Sequence, residues 1–190
     1  MTQPDLEADH QLVERLFAEH ADTVYRYCRL RLEANDAHDA VSEVFVVALR
    51  RAREIPEAQV AWLLGVARRV VANMARGQRR SSALAQKLGF EFGFELTRAA
   101  PDVAESVLAS DLAYRALAAL RPGDREVLLL ALARPLTQPE LGLALGCSAK
   151  AAGVRLSRAR ARLDQAVAKL NEPVPLPAGV RPTNSQVRSS

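Results

Sequence analysis

The sequence has few of the residues on which metal-binding and catalytic proteins depend. Its two cysteines, Cys28 and Cys147, lie far apart without CxxC spacing or a nearby histidine, so neither a zinc site nor a disulfide scaffold is expected. The three histidines, His10, His20 and His38, have no carboxylate or cysteine partner at ligand spacing, and no glycine-rich phosphate loop follows a strand. We therefore expect no metal ion, no cofactor and no enzymatic activity.

Long apolar runs and strand signals are missing as well. No apolar run approaches the ~20 residues of a membrane span, and the polar start MTQPDLEADHQ lacks signal-peptide character, so a cytoplasmic location is expected. Runs of β-branched residues between glycine or asparagine turns are absent, while Ala, Leu, Val and Arg dominate. An all-α fold is therefore predicted, and 190 residues suffice for one or two domains.

Charge is distributed unevenly along the chain. Residues 1–75 carry 9 Lys/Arg against 12 Asp/Glu, whereas residues 134–170 carry 7 against 2. Arg76, Arg79 and Arg80 form a compact basic group between them. This asymmetry predicts that a polyanion is contacted at two separate places and that an acidic surface remains for another partner.

The stretch DAVSEVFVVALRRA, residues 39–52, has the periodicity of an amphipathic helix with a second distinct face. That face aligns Asp39, Glu43, Val46 and Arg50, so an apolar side chain lies among charges where water would be expected. Such an arrangement suits a protein interface better than solvent. The opposite face forms the predicted core stripe: Ala37, Val41, Val44, Phe45, Ala48, Leu49 and Ala52.

Two further helices are predicted in the N-terminal part. One covers residues 11–32 with a break near Asp22, which could cap a second helical piece. The other runs from about residue 58 to 80. One side of this helix carries an aromatic side chain in line with basic side chains and an asparagine amide. An exposed Trp62 there could stack an unpaired base while arginines hold phosphates, but packing of Trp62 in the core is an equally weighted alternative. The aligned residues are Trp62, Arg69, Asn73, Arg76 and Arg80, and the core face is Val60, Leu63, Ala67, Val70, Val71 and Met74.

A helix-turn-helix is predicted in the C-terminal part. Thr137 and Glu140 have capping-box spacing with Pro139 in the first turn, Gly146 ends a short helix, and Ser148 can cap a longer one. The longer helix would pack inward through Ala149, Ala152, Leu156, Ala159 and Leu163. Its outer face is basic and suits a major groove with its phosphates, although a solvated arginine-rich bundle helix is an alternative. The outer residues are Lys150, Ala151, Val154, Arg155, Arg158 and Arg162.

The segments around the C-terminal unit have weak structural signals. Residues 81–109 lack a long amphipathic period, so they are interpreted as a linker. After residue 171 the chain has four prolines and almost nothing to bury, so a disordered tail is predicted.

Four stretches, in the same order and spacing, resemble regions 2 and 4 of the extracytoplasmic-function (ECF) class of bacterial RNA polymerase sigma factors. The resemblance implies a region 2-like domain over residues 1–80, a flexible linker over 81–109, a region 4-like helix-turn-helix domain over 110–170 and a tail over 171–190. It further implies binding to core RNA polymerase, promoter recognition, DNA melting and transcription initiation. The stretches are HADTVYRYCRLRL, DAVSEVF, WLLGVARRVVANMARGQRR and LRPGDREVLLLALARPLTQPELGLALGCSAKAAGVRLSRARARL.

The resemblance also implies partners and site residues. The expected partners are the β′ and β subunits of core polymerase, promoter DNA as duplex and as melted non-template strand, and an anti-sigma factor. Docking on the clamp helices of the β′ subunit would use Asp39, Ser42, Glu43, Val46 and Arg50. The −10 element would be melted and recognised by Trp62, Arg69, Asn73, Arg76 and Arg80. The duplex −35 element would be bound by Ser148, Lys150, Ala151, Val154, Arg155 and Arg158.

The predicted recognition helix departs from the family pattern at one place. Residues 151–154, Ala-Ala-Gly-Val, stand where the family usually has a small polar residue, valine, lysine and serine. Gly153 costs roughly 1 kcal/mol of helix stability relative to alanine, and the missing lysine removes a phosphate contact. Hydrogen bonds to base edges are then left mainly to Lys150, Arg155 and Arg158, so strong or strict −35 recognition is not expected.

A free-standing helix-turn-helix regulator, whose N-terminal domain binds a protein or a small ligand, is the competing hypothesis. Such a regulator needs neither the acidic and apolar face of residues 39–50 nor the Trp62 side of the long helix. These two features therefore discriminate between the hypotheses.

Overall fold

A computed structural model describes residues 3–87 and 111–171 of the chain. Within these ranges the backbone forms α-helices, one 3-10 turn at Ala52–Glu54 and no strand, which confirms the predicted all-α fold. No helix in the described ranges has the length and apolar character needed to cross a membrane. The helices are α1 (Gln3–Arg29), α2 (Ala34–Arg50), α3 (Gln59–Lys87), α4 (Asp111–Ala119), α5 (Pro122–Ala133), α6 (Gln138–Leu145) and α7 (Ala149–Asn171).

Helix α1 is continuous, so the predicted break near Asp22 is wrong. Asp22 is exposed, whereas Leu16 and Val24 are fully buried on the inner side of the same helix. An exposed aspartate can direct its carboxylate to water, and it then does not compete with the helical backbone. Beyond the end of α1, Arg29 Nη1 donates to the Leu32 carbonyl at 2.7 Å, which satisfies a backbone acceptor in the turn to α2.

Helices α1, α2 and α3 pack around a common core. Six of the seven residues of the predicted α2 stripe are buried, but Leu49 is 36% exposed. Leu49 lies at the extreme edge of the stripe, where the helix surface turns from the core to solvent. The stripe is therefore confirmed apart from this residue.

Helix α3 is longer than predicted. It continues to Lys87, past the expected end at Arg80, and so enters the segment interpreted as a linker. The rest of that segment, residues 88–109, and residues 172–190 of the predicted tail lie outside the described residues.

The C-terminal helices α4, α5 and α6 all pack on α7, and the two halves of the chain also pack on each other. The contacts between the halves run from α3 to α6 and from α1 to α5. Leu63 and Leu64 of α3 belong to the same apolar cluster as Leu130 of α5 and Leu141 of α6. The sequence predicted two units but did not predict this shared core.

Candidate protein and nucleic-acid interfaces

The face of α2 that was predicted to bind a protein is open to solvent. Val46 is 46% exposed, although it is apolar. Within the described residues no hydrogen bond or ion pair engages the carboxylates of Asp39 and Glu43, and Ser42 Oγ donates to the His38 carbonyl at 3.1 Å. The structure therefore leaves an exposed apolar side chain on the same helix face as two free carboxylates, one turn beyond Glu43. The exposed predicted residues are Asp39, Ser42, Glu43, Val46 and Arg50.

An apolar extension of this face was not predicted. Phe17 of α1 is 50% exposed, although it is a large apolar residue. Its ring packs edge-on against Phe45 of α2 with 4.9 Å between centroids, and Leu49 follows Phe45 by one helical turn. Phe17 and Leu49 therefore add exposed apolar surface beside the charged face. The position of Leu49 at the edge of the predicted stripe was the available signal.

Trp62, for which exposure and core packing were equally weighted alternatives, is only 8% exposed. The guanidinium of Arg51 lies over its ring, 5.8 Å from the centroid, in a cation–π arrangement. Every residue from Val60 to Ala67 is buried, so this part of α3 has no solvent-facing side. Of the two alternatives, the structure supports packing of Trp62 in the core in this conformation, because neighbouring elements cover α3 on all sides.

The other residues predicted for the −10 element lie further along α3. Arg69, Asn73 and Arg76 are exposed, and Arg76 donates a hydrogen bond from Nη2 to Asn73 Oδ1. They lie close together on one side of the helix, as the spacing predicted. The side chain of Arg80 is outside the described residues.

Helix α6 lies directly against α3 at Gly65. A Cβ atom added at Gly65 would lie 3.2 Å from the Ala144 carbonyl oxygen and 3.3 Å from the Ala144 Cα. Next to it, Arg68 Nε donates to the same carbonyl oxygen at 3.2 Å. Only glycine permits this close approach without a shift of the two backbones, so Gly65 is the point where the two halves meet most closely.

Glu126 of α5 links the two halves through charge. Arg31 Nη1 lies 2.7 Å from its Oε1 atom, and Arg68 Nη1 lies 3.5 Å from its Oε2 atom. Tyr27 accepts a hydrogen bond from Arg31 at 3.0 Å and donates to Glu126 at 3.5 Å. Burial raises the pKa of the Tyr27 hydroxyl well above its ordinary value, so the hydroxyl remains a donor. These residues were not predicted, because nothing local in the sequence indicates their pairing.

The helix-turn-helix is built by local signals that the sequence contained. Thr137 and Glu140 form a complete capping box at the start of α6, and Gly146 ends α6 with a left-handed φ of 70°. Ser148 Oγ accepts from the Ala151 amide at 3.2 Å and so caps α7. A Cβ atom at Gly142 would come within 2.7 Å of the Cys147 carbonyl oxygen, so a glycine is required where the turn crosses α6.

Helix α7 presents the predicted outer face. Ala152 and Ala159 are fully buried against the preceding helices, whereas Lys150, Val154 and Arg158 are exposed. Of the other predicted residues, Ser148 and Arg155 are exposed, and Ala151 is half-buried.

Two arginines lie on the side of α7 that faces the rest of the molecule. Arg162 donates to both carboxylate oxygens of Asp124, at 2.6 and 2.7 Å, and fixes α7 to the start of α5. Arg155 lines a cleft of about 340 Å³ together with Arg68 and Arg121. Arg155 therefore lies nearer to the junction between the two halves than to the middle of the predicted DNA face.

Comparisons with known proteins agree with the order of these elements. The family model for Sigma-70 region 2 matches residues 16–81, and the model for Sigma-70, region 4 matches residues 110–163. No curated protein matches the chain in sequence.

Two solved structures are similar in fold. CnrH in complex with the cytosolic domain of CnrY has 24% identity and a TM-score of 0.58, over 87% of this chain and 97% of that chain. The sigma factor RpoE in complex with the anti-sigma factor NepR from Bartonella quintana has 20% identity and a TM-score of 0.64, over 83% and 97%. With both regions matched in order, the chain belongs to the sigma-70 family of RNA polymerase sigma factors, in its ECF group.

Proposed function

We propose that the exposed face of α2 holds this sigma factor on core RNA polymerase by docking on the clamp helices of the β′ subunit. The observation that carries the proposal is Val46, which is 46% exposed on the same helix face as two carboxylates that have no partner among the described residues. The two carboxylates outnumber Arg50 on this face, so its exposed apolar surface suits a partner that is apolar and mainly basic. Phe17 and Leu49 extend the apolar contact.

Two further surfaces of the chain bind the promoter DNA, each at a different element. Arg69, Asn73 and Arg76 of α3 bind the −10 element, where the amide contacts an unpaired base and the arginines contact phosphates of the non-template strand. Trp62 joins this surface as a stacking residue once its ring is uncovered. Helix α7 binds the −35 element as duplex DNA through the residues predicted from the sequence.

The chain itself carries out no covalent chemistry in this proposal. Promoter opening uses binding free energy: the polymerase holds the sigma factor in place, α7 holds duplex DNA, and α3 stabilises separated strands. The β subunit of the polymerase contacts the region 4 part. The protein acts in the cytoplasm and is associated with the nucleoid when bound to polymerase.

An anti-sigma factor is a further proposed partner. Support comes from the similar fold of RpoE, which was solved with the anti-sigma factor NepR. A protein that covers the α2 face would compete directly with core polymerase for the same apolar and acidic surface.

The test measures the affinity of the full chain for bacterial core RNA polymerase. Reversing two charges with Asp39→Lys and Glu43→Lys should weaken binding by at least about 30-fold, because both substitutions place a cation against a basic partner. A matched control reverses two exposed charges on α1, Glu14→Lys and Asp22→Lys, and should bind like the native chain. Circular dichroism checks that both variants remain helical.

Equal binding by the two double variants would exclude the α2 face as the main contact. If the native chain fails to bind polymerase but binds duplex DNA alone, the chain acts instead as a free-standing regulator.

A further inference from the structure

A shallow depression on the outer side of the helix-turn-helix includes a residue that the sequence did not indicate. The depression has a volume of about 470 Å³ and lies between the first turn of α6 and the first half of α7. Three of its residues, Lys150, Val154 and Arg158, belong to the predicted −35 face. The complete lining is Gln138, Lys150, Gly153, Val154, Ser157 and Arg158.

The side chain of Gln138 lies across the face of Gly153. A Cβ atom added at Gly153 would lie 3.0 Å from Gln138 Cδ, 3.1 Å from Nε2 and 3.2 Å from Oε1. The three atoms of the amide group are almost equally distant, so the amide plane rests flat on the glycine. Any side chain at position 153 would displace it. This contact explains why α7 has a glycine in its interior, at a cost in helix stability.

The rest of Gln138 is held in place by its neighbours. Its backbone forms the first position of α6, between Thr137 of the capping box and Pro139, whose ring fixes φ. The side chain is exposed, and within the described residues no hydrogen bond engages its amide. A positioned amide with two free donors and a free acceptor therefore lies on the surface that faces DNA.

We propose that Gln138 is a specificity-determining residue that recognises an A·T base pair of the −35 element. A glutamine amide can pair with adenine N6 and N7 in the major groove through two hydrogen bonds. Gly153 is the positioning residue, because it leaves room for the amide beside α7. Lys150 and Arg158 of the same depression contact the flanking phosphates. The proposal rests on the proposed function of α7 in binding duplex DNA.

The first experiment uses the full chain assembled with bacterial core RNA polymerase and a library of duplex DNA that is randomised upstream of the start site. The native protein defines the preferred duplex. Single base-pair variants of that duplex are then bound by the native chain and by Gln138→Ala. The expected result is an affinity for the preferred duplex lower by about 5- to 150-fold, with discrimination lost at one A·T pair and kept at all others.

The second variant, Gly153→Ala, separates positioning from helix stability. Alanine favours the helix, so the thermal midpoint should be unchanged or higher, while discrimination at the same base pair should fall as the amide is displaced. The double variant Gln138→Ala with Gly153→Ala should be no worse than Gln138→Ala alone, because the two residues act through one amide. Gln165→Ala, an exposed glutamine elsewhere on α7, is the matched control and should leave every preference unchanged.

Three results would overturn the inference. If Gln138→Ala lowers the affinity for all duplex sequences equally, Gln138 contacts only a phosphate and reads no base. Unchanged binding would show that Gln138 does not contact DNA. If the native chain enriches no upstream sequence, the proposed function of α7 fails and the inference fails with it, and this outcome is visible before any variant is made.

Discussion

We propose that helices α3 and α7 both bind DNA, but they differ in how much of their surface is buried. In α3 every residue from Val60 to Ala67 is buried, because α1 and α2 lie on one side and α6 meets the helix at Gly65. In α7 only Ala152 and Ala159 are buried, and both are small. The outer face of α7 is therefore available as soon as the chain folds, whereas the first half of α3 is not.

The difference shows how a binding surface can depend on the arrangement of domains. The surface of α7 is defined by its own amphipathic pattern, so it remains the same wherever the helix-turn-helix lies. The surface of α3 is open at Arg69, Asn73 and Arg76 but closed at Trp62. We expect the Trp62 end to become accessible when α6 moves away from Gly65. Trp62 is the only tryptophan in the chain, so its fluorescence reports on this change.

The largest expected effect contrasts the two helices directly. Trp62→Ala should lower the free energy of unfolding by about 3–5 kcal/mol, since it removes a buried aromatic side chain. Val154→Ala on the open face of α7 should change it by less than about 0.5 kcal/mol. Urea denaturation followed by circular dichroism measures both. Similar small losses in the two variants would contradict the burial of Trp62.

The next prediction breaks the contact between the two halves. Gly65→Val places a branched side chain against the Ala144 backbone, where even a Cβ atom would lie only 3.2 Å from the carbonyl oxygen. Overpacking of this kind costs about 1–3 kcal/mol, and separation of the helices relieves it. The emission of Trp62 should then shift to longer wavelength, and quenching by iodide should increase.

Gly77→Val is the matched control on the same helix, because among the described residues no atom outside its own stretch of helix lies within 4 Å of a Cβ at Gly77. It should leave the emission of Trp62 unchanged. If Gly65→Val also leaves the emission unchanged while the halves separate in small-angle scattering, then Trp62 is covered by the N-terminal unit alone.

These contacts mark where sequence analysis succeeds and where it does not. Local signals were sufficient for the capping box at Thr137, the left-handed Gly146 and the exposed face around Val46. The pairing of Glu126 with Arg31 joins residues 95 positions apart, and that of Arg68 with Ala144 joins residues 76 apart. Helical periodicity reports which side of a helix is apolar, but it does not report which other element covers the opposite side.

For Trp62 the signal present in the sequence left two alternatives open, and for Gly153 it was interpreted differently. Residues 60–64, Val-Ala-Trp-Leu-Leu, are all apolar, a pattern typical of a helix that is buried all round. Gly153 appeared as a departure that weakens −35 recognition, whereas in the structure the absence of a side chain at this position leaves room for the amide of Gln138. At Gly65 and Gly153 a glycine inside a helix marks the close approach of another group, whereas at Gly77 none of the described residues outside its own stretch of helix comes close.

A smaller effect is expected from the charges that join the halves. Glu126→Gln weakens the attraction to Arg31 and Arg68, whose side chains are about one quarter exposed. Partial exposure to solvent limits the loss to about 1 kcal/mol, and the native contact should weaken as salt is raised. The measurement is the free energy of unfolding together with the emission of Trp62 at low and high salt.

Asp124→Asn is the control for this prediction, because Asp124 pairs with Arg162 inside the C-terminal unit. It should lower stability to a similar extent without changing the emission of Trp62. An emission change in both variants would show that the Glu126 contact has no special role between the halves.

The smallest effect concerns the start of α6, the helix that covers α3 and also supports α7. Thr137→Ala removes one side of the capping box and should lower the free energy of unfolding by about 1 kcal/mol at neutral pH. Hydrogen bonds from the Thr137 hydroxyl and backbone amide hold the pKa of Glu140 below its ordinary value of 4.5. Because folding lowers the pKa of Glu140, these hydrogen bonds stabilise the folded state at any pH above the ordinary pKa. The stabilisation is lost as the pH falls through the lowered pKa of the folded state.

The acid dependence distinguishes this cap from the other cap in the motif. Ser148→Ala removes the cap of α7, whose hydroxyl accepts from the Ala151 amide and involves no carboxylate. Its cost should therefore be the same at neutral and acid pH. The loss of stability in Thr137→Ala should be smaller in acid. Once Glu140 is protonated, it has no carboxylate to accept the hydrogen bond from the Thr137 hydroxyl, so removal of that hydroxyl costs less. Unfolding by urea at a series of pH values measures both costs, and parallel curves for the two variants would show that Glu140 contributes no pH-dependent stability to α6.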